Sequence, residues 1–260
     1  MPLMMKYPVQ EHNEDVIASF FEKTSGKMST YSVDFTEEDS QQDIATEKSE
    51  FRIRLANTAN RRGAASILIN KMYSWRGYGN GNVSQINNPN RITLLASGPD
   101  DVAIGTISMG LHSSLGLYAD TMYHDELEQL RRQGKIVCEY NRLAIDPEIK
   151  SKRVLASLFH IAYLYPYYLF GHTDGVLEVN PRHVRFYEKM MGFTQIGPER
   201  TCPRVNAPAV LLHTDFSYAR EQIKKWGGLM DKARHERSLY PYFFDPVDEA
   251  GILGRLKAMT

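Results

Sequence analysis

The chain has 260 residues, 42% of them hydrophobic and 24% charged, with 31 Lys plus Arg against 31 Asp plus Glu. That is enough apolar chain for one sizeable core, and the even charge balance excludes a global positive field for holding nucleic acid or an anionic membrane. The two cysteines, Cys138 and Cys202, stand outside any CxxC pair and give no disulfide framework, which points to a reducing cytoplasm.

Residues 1–48 are expected to be a peripheral, partly flexible arm. The opening "MPLMMKYPVQEHNED" turns acidic before an apolar core of signal-peptide length develops. "TEEDSQQDIATEKSE" is polar, with little to bury. From Phe51 the pattern becomes regular. "FRIRLA" alternates as a half-buried strand does. "NRRGAASILINKMYSW" has helical spacing, with Ala65, Leu68, Ile69 and Met72 on one side. "GYGNGNVSQINNPN" is a loop by composition. "RITLLAS" and "VAIGTISMG" read as strands joined at Gly98-Pro99-Asp100-Asp101. "ADTMYHDELEQLRRQG" reads as a helix, capped by Asp120 or Thr121 and stopped by Gly134.

"KIVCEYNRLAI" is the next strand, ended by Asp146-Pro147. "SKRVLASLFHIAYLY" is an amphipathic helix that Pro166 bends or ends. "GVLEV" is a short strand, "NPRHVRFYEKMMG" a helix with Pro181 near its start and Gly192 past its end, and "AVLLHTD" a late strand. Residues 217–260 hold two further helical stretches joined by "LYPYFF". Strands and helices alternate through 49–216, so the expected fold class is α/β, an α+β mixed sheet covered by helices. No apolar run reaches the ~18 residues that span a bilayer.

Three pieces in order carry a resemblance: the strand ending in "RLAIDP", the helix after it, and "NPRHVRFYEKMMGF". Together they resemble the GNAT superfamily of N-acyltransferases. Asn180, Phe186, Tyr187, Gly192 and Phe193 fill that family's Asn-x-x-Ala-x-x-Phe-Tyr and Gly-Phe places. His183 replaces the usual Ala, and one extra residue precedes Gly192. More closely, "MYSWRGY", "SSLGLYADTMY", "CEYNRLAID", "EVNPRHVRFY" and "CPRVNAPAVLL" resemble the FeeM-like N-acyl amino acid synthases over roughly 51–216. The resemblance implies a GNAT-like fold with an N-terminal arm and a C-terminal helical extension. It also implies transfer of a long acyl chain from acyl carrier protein to the α-amine of a free amino acid. Relatives of this fold suggest two other activities, acyl-homoserine lactone synthesis and transfer from acyl-coenzyme A. A module that binds the carrier protein without catalysis is the alternative of another class.

The donor site is expected at the start of the helix after "RLAIDP". Glycines there let backbone approach a diphosphate. This chain instead has Lys152, Arg153 and Val154. Side chains in that place suit the single phosphodiester of the phosphopantetheine arm better than two linked phosphates and a nucleotide. Lys152 and Arg153 are otherwise only solvated cations at a helix start. The resemblance adds main-chain N–H groups near Leu143, Ala144 and Ile145, facing the donor on a splayed strand, and Asn180 beside it.

An α-amino group must lose a proton as it attacks, so the reaction needs a base. Glu139 is the first candidate; alternatively it pairs with Arg142 or another cation. Asn141 shares its strand face and is grouped with it. Arg142 either grips the acceptor's carboxylate or bridges strands. Tyr187 sits where the family places the proton donor for the leaving thiolate; a core tyrosine is the other reading. Glu178 is a further candidate at a strand end, and Tyr78, opening "GYGNGN", one from a loop over the acceptor. "YLYPYYLF" and "SSLGLYAD" either line an acyl tunnel or form plain core. Arg131, Arg132, Lys135, Lys150, Lys152 and Arg153 are candidates for a carrier-protein docking surface. Cys138 falls on the strand face opposite Glu139, which counts against a thiol nucleophile. The eight histidines show no HxxxH or HExxH spacing, so no metal is expected. The C-terminal extension is a candidate for peripheral membrane contact.

Overall fold

The computed structural model describes residues 15–24, 47–78, 90–149 and 151–260. The elements in order are β1 (Val16–Thr24), β2 (Glu47–Leu55), α1 (Ala59–Trp75), β3 (Arg91–Ser97), β4 (Ala103–Gly110), α2 (Asp120–Arg132), β5 (Val137–Ile145), α3 (Lys152–Leu164), β6 (Asp174–Val179), α4 (Val184–Met191), β7 (Thr194–Gln195), β8 (Arg200–Cys202), β9 (Ala207–Asp215), α5 (Phe216–Trp226) and α6 (Pro246–Met259). The strands form one mixed sheet in the order β1-β2-β3-β4-β5-β6-β9-β7, with β8 on β9. Its parallel pair is β5 and β6; the other pairs are antiparallel.

Strand alternation sorts the core into two layers. On β3, Leu94 and Ala96 face the large cluster that holds α3, while Leu95 packs on Ala65 of α1. Helix α2 buries Tyr123, Leu127 and Leu130 against Val137 and Val176. Helices α1 and α2 thus cover one face, and α3 with the C-terminal helices covers the other. Local chemistry starts the helices: Thr58, Ser151, Asp215 and Asp245 each cap one with a side-chain oxygen. Helix α2 departs from expectation. Asp120 is its first residue, and its carboxylate accepts from Leu117 N–H at 2.7 Å and pairs with Arg131 instead of capping the helix.

Two features of β5 build the central cleft. Its pairing with β6 runs from Val137↔Asp174 to Tyr140↔Leu177 and then stops, while pairing with β4 continues to Ile145↔Gly105. The two parallel strands therefore splay. At the splay Arg142 takes φ 52°, and the β4 register shifts between Thr106 and Ser108. An L-residue there costs about 1–2 kcal/mol, the mark of a bulge held by its surroundings. The bulge changes which face each later side chain meets. Ala144 joins Leu68, Ile69 and Met72 of α1, and Leu143 and Ile145 turn to the other core.

The expected arm needs correction at Val16–Thr24. These residues pair along β2 and bury Ile17, Ala18 and Phe20. Arg255 of α6 donates to Ile17 O at 2.6 Å and fixes this edge from the other terminus. The C-terminal extension packs on α3, whose residues Val154–Leu164 are all buried. Here His160 Nδ1 accepts from Phe244 N at 3.1 Å and its Nε2–H donates to Glu249 at 3.2 Å. Pro166 does bend α3: Tyr165–Leu169 form a π-turn. Among the described residues no helix is long and apolar enough to cross a membrane.

Candidate active site

On the α1 and α2 face, four segments bring charged side chains to the splay, and a fifth brings the Tyr118 ring. Glu139 is buried, and both its oxygens are engaged. Oε1 accepts from Arg91 Nη2 at 2.8 Å and Asn141 Nδ2 at 3.0 Å; Oε2 accepts from Ala119 N at 3.0 Å. Its cation is therefore Arg91, from the start of β3, and not Arg142. Arg91 lies over the Tyr118 ring at 3.6 Å, and Arg204, from the β8–β9 turn, lies over the same ring at 5.4 Å. Arg204 also donates to Tyr118 O at 3.2 Å and pairs with Glu178 at the end of β6. Burial lowers the proton affinity of both Arg142 and Arg204, and the nearby charge of Arg91 adds to each effect. Several buried polar atoms have no hydrogen-bond partner among the described residues: Arg91 Nε and Nη1, Arg142 Nη1, Asn141 Oδ1 and Glu178 Oε1.

Tyr73 of α1 closes the inner end of this cluster. Burial pushes its proton affinity up, and the nearby cations Arg142 and Arg76 oppose that. Beside it, Arg76 Nη1 and Arg182 Nε approach His183 Nε2 at 3.1 and 3.2 Å. Arg182 Nη2 reaches Tyr78 Oη at 3.2 Å. Asn180 Oδ1 accepts from Arg182 N at 3.2 Å, which makes it the cap of the Pro181–His183 turn. Tyr187 is buried with Phe159, Phe186 and Phe193 around its ring, and burial raises its phenol well above the usual value.

The donor side differs from expectation in its neighbours. Ser151 Oγ takes Val154 N–H at 2.9 Å and is itself bonded to the carboxylate of Glu22 from β1. Arg153 lies over the Phe20 ring at 4.6 Å, with Nη1 3.4 Å from Phe21 O. Val154 is fully buried and Lys152 exposed. Two cations of the expected docking surface are neutralised: Arg131 pairs with Asp120 and Glu128, and Lys135 with Asp174 and Asp215. Lys150 and the loop residues 79–89 lie outside the described residues.

The aromatic run starts in the core and ends at the surface, with Tyr168 and Phe170 exposed. Tyr163 and Tyr165 are buried, and Tyr163 borders a cavity of about 20 Å³ between α3 and the C-terminal extension. That space suits a water molecule and excludes a long acyl chain. Cys138 is buried in the α3-side core, and burial raises its thiol, the opposite of an activated nucleophile. Among the described residues no group of three or more His, Cys, Asp and Glu is placed to hold a metal ion.

The splayed, bulged strand beside paired carboxylates and guanidiniums suits acyl transfer to an amine, and comparison with known proteins agrees. The model of the family described as "N-acyl amino acid synthase FeeM" matches residues 64–215, more than half of the chain. The chain belongs to the FeeM N-acyl amino acid synthase family. The solved structure of FeeM, an N-acyl amino acid synthase from uncultured soil microbes, aligns at 28% identity and a TM-score of 0.60, covering 66% of this chain and 93% of that one. A putative N-acetyltransferase from Lactobacillus plantarum aligns at 16% identity and a TM-score of 0.48, covering 64% of this chain and 98% of that one. An acyl-CoA N-acyltransferase from Pseudomonas aeruginosa aligns at 12% and 0.45, covering 63% and 97%. No curated protein matches. The chain shares the mixed-sheet fold of FeeM and, as a member of that family, is an acyltransferase.

Four residues of the site escaped sequence reasoning: Tyr73, Arg91, Tyr118 and Arg204. Three of them lie inside segments that carried the resemblance, "MYSWRGY", "SSLGLYADTMY" and "CPRVNAPAVLL". Arg91 opens an otherwise apolar strand, and its inward turn becomes visible only with Glu139 opposite it.

Proposed function

We propose that the protein moves a long-chain fatty acyl group from the phosphopantetheine arm of acyl carrier protein to the α-amine of a free amino acid in the cytoplasm. The amine nitrogen attacks the thioester carbon, the carbon–sulfur bond breaks, and the thiolate takes a proton while the nitrogen loses one. The products are an N-acyl amino acid and the free carrier thiol. The observation that carries this reading is the open splay at Arg142, with a charged cluster on one side and the glycine-poor start of α3 on the other.

The roles follow from position. Main-chain N–H groups from Leu143 to Ile145 polarise the thioester oxygen. Tyr187 supplies the proton to the thiolate. Glu139, with Asn141, holds Arg91 over Tyr118; its engaged oxygens favour this role over that of base. Asn180 borders the donor arm, and Tyr78, bonded to Arg182, borders the acceptor.

Charge supports the choice of donor. A carboxylate, Glu22, already stands at the start of α3, and Arg153 and Val154 fill the space that glycines would open. A doubly charged diphosphate is disfavoured there more than one phosphodiester. Lys152 is the exposed cation left to meet that phosphate.

Mass spectrometry of lipids from cells producing the protein tests the reading, followed by turnover of the purified protein with acyl carrier protein or coenzyme A thioesters of one chain. N-acyl amino acids, and faster turnover with the carrier protein, are expected. Methylthioadenosine as a product with S-adenosylmethionine would identify a lactone synthase instead. Faster turnover with the coenzyme A thioester would overturn the donor assignment.

A further inference from the structure

Resting on the acyltransferase reading, the charged cluster identifies the part of the acceptor it binds. Three guanidiniums, of Arg91, Arg142 and Arg204, meet two carboxylates, of Glu139 and Glu178, around Tyr118. One positive charge is left over. Glu139 has spent both oxygens on Arg91, Asn141 and Ala119. Yet Arg91 Nε and Nη1 and Arg142 Nη1 are buried without an acceptor among the described residues, and the Arg91 side chain is only 4% exposed. Leaving such donors unmet costs about 1–3 kcal/mol each, more where the group is charged. A site that persists with them is complementary to an anion with two in-plane oxygens.

The opposite signal lies a short way along. Glu178 Oε1 is a buried carboxylate oxygen with no donor among the described residues, although its twin oxygen pairs with Arg204. Orphaned cationic donors and an orphaned anionic acceptor in one pocket match a zwitterion. We propose that Arg91 and Arg142 take the acceptor's carboxylate, that Arg204 closes over it from the β8–β9 turn, and that Glu178 holds the α-ammonium. The pocket thus selects an amino acid over an amine with the same side chain.

The test uses the purified full chain with acyl carrier protein thioester and the twenty common amino acids. The best acceptor is then compared with its carboxamide and its decarboxylated amine. The expected kcat/KM falls about 10²-fold or more for both analogues. Arg204→Gln, at the solvent-facing rim, should narrow that preference about tenfold by raising KM for the amino acid more than it lowers kcat. Thermal unfolding with each compound gives a readout that needs no turnover. Stabilisation by the amino acid and not by the amine supports the pocket even where no acyl group is transferred, an outcome that would sink only the acyl-transfer reading. Equal acylation of acid and amine by the wild type, or no stabilisation by any amino acid together with no turnover, would overturn the pocket.

Discussion

Gly110 is where the acceptor side tolerates least. A Cβ at this position would stand 2.7 Å from Glu139 Cγ and 2.8 Å from its Oε1. Gly110→Ala must displace Glu139 and with it Arg91. It should cost about 1–3 kcal/mol of stability and on the order of 10²-fold in kcat/KM. An unchanged melting temperature and unchanged kinetics would show that Glu139 does not hold the cluster. The two tyrosines separate by kinetics. Tyr187→Phe should lower kcat about 10²-fold or more as the leaving thiolate loses its proton donor. Tyr73→Phe removes a buried hydroxyl beside Arg142 and should raise the acceptor's KM more than it lowers kcat; the reverse pattern would exchange their roles. At this scale the sequence is legible where strand position alone fixes direction. Glu139 and Asn141 share a face of β5 by alternation, and Glu178 comes from β6; Arg142 reaches the cluster only through the bulge, which alternation does not encode. Tyr118 and Arg204 come from turns, whose side-chain directions no periodicity encodes.

Helix α3 shows how an element is positioned by what lies beyond it. Its amphipathic spacing was readable, but the structure buries it all round because the C-terminal extension covers the face away from the sheet. His160 joins them. It lies under Phe243 and Phe244, beside Tyr163, bonded to Glu249 of α6, which in turn pairs with Arg220 of α5. Burial lowers the proton affinity of His160 below its ordinary 6.5, despite Glu249; hydrogen bonding and charge lower that of Glu249 below its ordinary 4.5 against burial. For both groups the unfolded chain binds the extra proton first as pH falls. Their stability is therefore full at pH 7, starts to decline below about 6.5 for His160, and declines further as Glu249 protonates. Melting curves should drop from pH 7 to 5, and His160→Phe should flatten the part between 6.5 and 5. Parallel curves for the two proteins would remove His160 as the cause. The strand β1 was missed for a related reason. "VIASFF" is apolar, but the polar stretches around it dominate composition, and only β2 and Arg255 show what it pairs with.

At the scale of the whole molecule, equal charge totals hide a division of labour. Arg131 and Lys135 are paired with carboxylates at the surface, while Arg91 and Arg142 keep buried donors without a partner among the described residues at the cleft. The fold was legible because α/β alternation between 49 and 216 repeats at a scale that survives local errors. The helices of the C-terminal extension were legible too, but their packing on α3 and the pairing of β1 at the sheet edge were not, because both rest on contacts far apart in sequence. Glu22 is the link from terminus to donor site. Glu22→Gln removes a negative charge at the start of α3 and should lower KM for acyl carrier protein several-fold at low salt, and less at high salt. No change at either salt would separate β1 from donor binding. The most direct test of the account is a reaction of purified protein with acyl carrier protein thioester and an amino acid, in which released thiol and amide product are both counted. One N-acyl amino acid for each thiol released is the predicted result. Thiol release without amide, or no reaction with either thioester donor, would contradict it.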